Sequence, residues 1–446
     1  MDVITIEVPQ VGNRTHLVHD GENALVIDPP RDLEIVEEAA ELAGVRIAAV
    51  ADTHVHNDYV SGALGLARRH GVDYLLSVDE RVAFDRAGVR DGDVVDVGSF
   101  AVHVIDTPGH TLHHQALLAT DGVGRDALFS GGSLLAGTVG RTDLMDPLLA
   151  RHLARAQWNS VRHLGTLDPA TSLHPTHGFG SFCAATSTSA TDVPLSIGGE
   201  LASNHALNTP RDAFVDELVA GFGPVPTYYR RMSPANRAGR GTVAPRVGHD
   251  VGHDEVLGVL ARGGWAIDLR SRESFTEGHL SGSVNVEYGA QFATWVGWLT
   301  SEDTEIVLLT DDPGDLTEAR RDLERIGIEG AHARVLVPGV DLPSHPTLRR
   351  AAWFGLADAP ADRVLVDVRH VDEYDDGHLP DAIHIPLHHL ETRQHELPAG
   401  EVWVHCLSGY RAGIAASLLQ RAGRSVVHVD DVWENAPLET SRGEAA

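Results

Sequence analysis

Lysine does not occur in this chain: all 35 basic residues are arginines, a bias that a GC-rich genome imposes and to which no function is attached. Cysteine is nearly absent as well, with only Cys183 and Cys406. Two thiols cannot staple a chain of 446 residues, so a disulfide framework is excluded and each thiol is judged as a reactive group. No apolar run reaches the roughly 20 residues that a membrane helix needs. The N-terminal Met1-Asp2-Val3-Ile4-Thr5 is acidic and strand-like, without the basic-then-apolar pattern of a secretory leader. Positive charge is scarce overall: the net charge of −29 repels nucleic acid and anionic membranes and favours solubility. Together these absences predict a cytoplasmic protein with no nucleic-acid and no membrane partner. A homo-oligomer is compatible with them.

What is present is an ordinary globular composition, 42% hydrophobic and 22% charged, in a chain long enough for two to four domains. Three blocks separate. The first, residues 1–244, opens with short strands (Val3 to Val8, Ala24 to Ile27) and continues in strand–helix alternation. It closes on Gly239-Arg240-Gly241-Thr242-Val243-Ala244-Pro245, which reads as a linker. The second and third blocks, residues 252–345 and 350–441, are an internal repeat. Asp268-Leu269-Arg270, Gly278-His279-Leu280 and Val284-Asn285-Val286 recur as Asp367-Val368-Arg369, Gly377-His378-Leu379 and Ile383-His384-Ile385. A period that long denotes duplicated domains rather than a solenoid. Apolar strands alternating with helical patterns predict a small parallel sheet in each.

The 27 histidines are many for this length, and several fall where predicted strands end. Thr53-His54-Val55-His56-Asn57-Asp58-Tyr59 follows the apolar run Ile47 to Ala51 and precedes a predicted helix starting near Gly62. Imidazole and carboxylate ligands leaving a strand end toward a cleft suit zinc or iron. Three further strand-end elements follow: Asp106-Thr107-Pro108-Gly109-His110-Thr111; Phe129 to Leu134 with Gly140-Arg141-Thr142-Asp143; and His174-Pro175-Thr176-His177-Gly178. Cys183, just beyond, reads either as a small buried hydrophobe or as a thiol passing sulfur near the metal. Arg141 and Asp143 read either as a structural ion pair or as a substrate contact.

The ordering of these elements resembles the metallo-β-lactamase superfamily, and within it the persulfide dioxygenases, which are similar in fold to glyoxalase II enzymes. The resemblance implies an αββα sandwich of two mixed sheets flanked by helices, with metal at one edge. It implies a first metal position served by His54, His56 and His110 and a second drawing on Asp58 and His177. Two family ligands are replaced: Tyr59 stands where a histidine would follow the aspartate, and Gly132 stands where the family's Gly-Asp element has its carboxylate. Persulfide dioxygenases hold one iron by two histidines and a carboxylate, and the carboxylate would map to Gly132. The ligand set that survives is a three-histidine site for one iron or zinc ion, with Asp58 as an orienting or replacement carboxylate.

The third block contains Val404-His405-Cys406-Leu407-Ser408-Gly409-Tyr410-Arg411. A strand runs into Cys406, a tight turn with Gly409 and Arg411 follows, and an apolar helix begins. Converging N–H groups and a helix N-terminus favour the thiolate. Such a thiolate attacks sulfane sulfur by chemistry analogous to disulfide exchange, and Arg411 would steady the loop or bind an anionic donor. The block resembles the rhodanese family. A phosphatase would want one more residue between cysteine and arginine. In the second block Thr310 or Asp311 takes the place of the cysteine, so that copy is expected to be inactive. The chain is thus expected to be a sulfurtransferase acting on persulfide, thiosulfate or thiol substrates, joined to a persulfide-dioxygenase-like metal domain. The alternatives for the first block are a metal-dependent hydrolase of the glyoxalase II type and a degenerate adaptor.

Overall fold

The computed structural model describes residues 1–178, 181–185, 195–337 and 346–437, so residues 345 and 441, at which the two expected repeat domains end, lie outside the described residues. The chain forms two compact units. One contains residues 1–245 with 321–328, and the other contains residues 246–320 and 329 onward.

In the first unit, a six-stranded sheet runs in the order Asp2–Val8, Asn13–His19, Asn23–Ile27, Arg46–Ala51, Asp73–Ser77 and Ala87–Val89. Its first two pairings are antiparallel and the rest parallel. A five-stranded sheet orders Ser172–Pro175, Ala127–Gly131, Gln115–Thr120, Phe100–Asp106 and Val94–Val97, with one parallel pairing at the Ser172–Pro175 edge. The period of two in strand Asn23–Ile27 shows how the layers stack. Leu25 and Ile27 join Phe100, Val102, Leu117 and Phe129 between the sheets. Ala24 and Val26 point the other way, against Val36 and Ala40 of helix Glu34–Ala43 and Leu66 of helix Ala63–His70. On the far side, Leu128 and Leu173 pack on Ala154 and Val161 of helix Ala150–Leu164. The result is the expected αββα sandwich.

The second unit holds two parallel sheets. One orders Val284–Asn285, Trp265–Asp268, Ile306–Thr310 and His332–Val335; the other orders Arg349–Ala351, Val426–Val429, Val402–His405, Val364–Asp367 and Ile383–His384. The repeat is visible down to side chains. The Arg270 guanidinium donates to both Asp268 oxygens and to the Gly278 carbonyl; Arg369 does the same to Asp367 and Gly377.

Among the described residues no helix is long and apolar enough to cross a membrane. Phe129 is wholly buried between the two sheets of the first unit. Phe129→Ala should therefore cost that unit about 3–5 kcal/mol, measured as a fall in its denaturant midpoint.

Candidate metal centre and cysteine loop

The polar segments of the first unit leave strands at one edge of the sandwich. Phe100–Asp106, Ala127–Gly131 and Ser172–Pro175 run in the same direction, so the segments carrying His110, Gly132 and His177 emerge together. The signature segment leaves the end of Arg46–Ala51 and meets them, as the hydrogen bond from the Gln115 N–H to the Thr53 carbonyl shows (2.8 Å). His54, His56, Asp58, His110 and His177 are all wholly buried.

Hydrogen bonds fix the tautomer of three of these histidines. The Thr53 hydroxyl donates to Asp28 (2.8 Å), so it accepts from His54 Nδ1 (2.9 Å). His110 Nδ1 donates to the Arg141 carbonyl at 2.8 Å. His177 Nδ1 donates to the Asn13 amide oxygen at 2.7 Å, while the Asn13 amide nitrogen donates to Asp58. Each ring is left with a bare lone pair on Nε2. His54 and His177 bring these atoms within 3.2 Å of each other. Two lone pairs face to face repel unless a cation sits between them, and two ligands of one tetrahedral zinc, at about 2.0–2.1 Å each, are separated by about 3.3 Å. His54, His110 and His177 can each offer an atom within 4.8 Å of the others, and His56, Asp58 and His177 form a second such group. His110 Nε2, His56 Nδ1 and Asp58 Oδ1 are buried with no hydrogen-bond partner, an arrangement that costs about 1–3 kcal/mol per atom unless something is bound. The residues present fit a metal ion.

This grouping differs from the expected triple of His54, His56 and His110. His56 turns its Nε2 onto Asp28 (3.1 Å) and the Tyr59 hydroxyl (3.0 Å), and the third histidine of the converging set is His177. Burial and neighbouring histidines hold the imidazoles of His54, His110 and His177 neutral, the latter two down to about 3. For His56 burial acts in the same direction, but Asp28 and then Asp52 outweigh it and raise the ring to about 10. Tyr59 donates to the Asp28 carbonyl (3.1 Å) and so sits behind His56. Gly132 has a steric cause. A Cβ there would come 2.7 Å from His110 Nε2 and closer still to Cδ2, so the His110 ring occupies the space a side chain would need.

Sequence reasoning missed Asp28, Asn13 and His114. His114 accepts from the Gly132 N–H (2.9 Å) and bonds Thr107 (2.7 Å), which leaves it no free nitrogen. Asp28 ends an apolar run, the same signal that marked the other strand-end residues. Arg141 forms a two-pronged ion pair with Asp143 (2.7 Å each) while its carbonyl orients His110, so that pair is a support for the site. Cys183 is buried, and burial followed by the Asp58 charge pushes its thiol well up, so it stays protonated.

In the second unit Cys406 follows strand Val402–His405 and is 1% exposed. Gly409 has φ +87° and precedes helix Tyr410–Arg421; a Cβ there would collide with Asp430. The Ala412 N–H points at Cys406 Sγ (3.4 Å). Arg411 is held by both oxygens of Glu373 (2.6 Å each). Strand register settles the counterpart of Cys406. Asp367 pairs with His405 and Asp268 with Leu309, so Thr310 is the next residue in the first copy.

The family model for the rhodanese-like domain matches residues 253–341 and 353–435, and that for the metallo-beta-lactamase superfamily matches residues 10–177. The chain therefore carries a metallo-beta-lactamase domain followed by two rhodanese-like domains. Among curated proteins it is similar to the hydroxyacylglutathione hydrolase of Rhizobium johnstonii, 33% identical over 36% of this chain and 61% of that one. It is also similar to the hydroxyacylglutathione hydrolase of Alkalilimnicola ehrlichii, 39% identical over 26% and 44%. The chain thus spans about half the length of these relatives. Of solved structures, a metallo-beta-lactamase from Staphylococcus aureus subsp. aureus COL is 25% identical, with a TM-score of 0.66 over 75% of this chain and 98% of that one. ETHE1 from Myxococcus xanthus is 27% identical, with a TM-score of 0.45 over 53% and 99%.

Replacing Gly132 by aspartate, which restores the family's residue type, should lower bound metal per chain, because the added side chain displaces His110. Elemental analysis of Gly132→Asp against wild type checks this, and a gain of metal contradicts it.

Proposed function

We propose that this protein is a cytoplasmic enzyme that transfers and processes sulfane sulfur. The observation that carries the reading is the Cys406 loop: a buried cysteine at a strand end, an N–H on its sulfur, and an arginine locked beside it. The Cys406 thiolate attacks the sulfane sulfur of a persulfide or thiosulfate. A new S–S bond forms at Cys406, and the donor leaves as thiolate or sulfite. An acceptor thiolate then takes the outer sulfur and regenerates Cys406. The first rhodanese-like copy cannot do this, because Thr310 offers a hydroxyl that already accepts the Asp312 N–H (3.1 Å).

In the first unit His54, His110 and His177 would hold a single iron or zinc ion. When bound, the ion supplies Lewis-acid activation of a sulfur substrate and, if iron, electrons for oxygen chemistry. Thr53, Arg141 and Asn13 keep the three rings in the ligand tautomer, and Asp58 offers a carboxylate oxygen beside them. Persulfide oxidation is the activity we assign to this domain.

A second reading, thioester hydrolysis, is favoured by the similarity to hydroxyacylglutathione hydrolases. Against it stands Gly132, which cannot supply a carboxylate bridging two metals.

Cys406→Ser should reduce sulfur transfer from thiosulfate to cyanide by about a hundredfold or more while leaving oxygen uptake with a small-molecule persulfide in place. Retained transfer in that variant would sink the sulfurtransferase assignment. Hydrolysis of an acylglutathione without persulfide-dependent oxygen uptake would replace the dioxygenase reading with the hydrolase.

A further inference from the structure

The nucleophile-free first rhodanese-like copy reaches into the loop of the second. Arg272, on helix Arg272–Glu277 of the first copy, donates Nε to Asp430 Oδ1 (2.8 Å) and Nη1 to Glu287 (3.1 Å). Its Nη2 lies 3.5 Å from the Ser408 carbonyl, two residues beyond Cys406. The Tyr410 hydroxyl of the second copy donates to the Glu287 carbonyl of the first (3.1 Å). Arg350 bridges Asp430 (3.2 Å) and Glu273 (2.9 Å), which extends a chain of alternating charges: Arg272, Asp430, Arg350, Glu273.

Asp430 is the part of this chain of charges that bears on Cys406. Its carboxylate packs against Gly409, and a Cβ on that glycine would lie 3.1 Å from the Asp430 Cα and clash outright with Oδ1. The Gly409 carbonyl accepts from His428 Nε2 at 2.8 Å. The turn that presents the Ala412 N–H to Cys406 Sγ is therefore seated on a carboxylate that Arg272 and Arg350 hold in place. Arg411 fixes the other side of the loop through Glu373. Glu373 sits on helix Val371–Asp375, whose neighbour His370 stacks on Trp298 of the first copy (5.6 Å).

We propose that Arg272 is a positioning residue for sulfur transfer at Cys406, and that the first copy is retained because it braces the active loop of the second. This rests on the reading of Cys406 as the sulfur carrier. A brace acts on the geometry of attack: without it the sulfur and its N–H partner lose alignment, and small misplacements of that kind cost one to two powers of ten in rate. The Arg272 guanidinium is held by Asp430 and Glu287, so the proposal gives it a positioning role and no contact with the donor.

The test uses the full-length chain. Arg272→Ala should lower kcat for thiosulfate-to-cyanide transfer about tenfold or more with KM within about twofold. Arg272→Lys, which keeps the charge but not the fork, should recover part of that loss. A kcat within twofold of wild type, or a rise in KM with kcat kept, overturns the proposal. If Arg272→Ala fails to fold, Tyr410→Phe decides by the same split. Amide hydrogen exchange across residues 406–412 separates this proposal from the sulfur-carrier reading. It should rise about tenfold in Arg272→Ala even if Cys406→Ser shows that Cys406 carries no sulfur, and unchanged exchange overturns the brace.

Discussion

Asp28 lies wholly buried at the end of strand Asn23–Ile27 with φ 54°, the single non-glycine residue in the left-handed region among the described residues. A buried carboxylate must be hydrogen-bonded or paired, and the way Asp28 meets this need organises the candidate metal centre. It accepts from the Thr53 N–H (2.7 Å), the Thr53 hydroxyl, the His56 ring and the Thr176 hydroxyl. Thr53 opens the signature segment at the end of a first-sheet strand; Thr176 immediately precedes His177 at the end of a second-sheet strand. One carboxylate thus ties together the loops of the two sheets. Burial alone would raise its pKa, but His56 and the hydrogen bonds outweigh burial and hold it below the usual carboxylate range. The bond from Thr53 to Asp28 also leaves the Thr53 oxygen free to accept from His54, so the tautomer of a candidate ligand follows from the same group.

This dependence explains what could and could not be read from the sequence. The layered sandwich was legible because apolar alternation in strands such as Asn23–Ile27 assigns each side chain to a face. The repeat was legible because Asp268-Leu269-Arg270 and Asp367-Val368-Arg369 serve the same local ion pair in each copy. Which histidines converge was not legible. His54 and His56 are neighbours in sequence, but Asp28 draws the His56 Nε2 away from the cluster. His177 enters through Thr176, 148 residues from Asp28. Spacing along one strand carries no information about such long-range partners.

The replaced family positions follow the same logic. Gly132 reads in the sequence as a missing ligand, whereas in the structure it is the space that the His110 ring fills. Tyr59 reads as a lost imidazole, yet its hydroxyl joins the shell around His56 and Asp28. In the second unit the sequence left Thr310 and Asp311 as alternatives for the position of the nucleophile, and strand register selects Thr310. The network from Arg272 to Asp430 was out of reach for a different reason: neither residue belongs to a motif, and both matter only once the two copies pack.

The central claim for the first unit is that His54, His110 and His177 present three bare imidazole nitrogens to one metal ion. X-ray absorption and elemental analysis on protein purified without added metal test it most directly. About one iron or zinc ion per chain in an imidazole-rich shell is expected, with occupancy collapsing in His177→Ala. Metal-free wild-type protein, or full occupancy in His177→Ala, would contradict it.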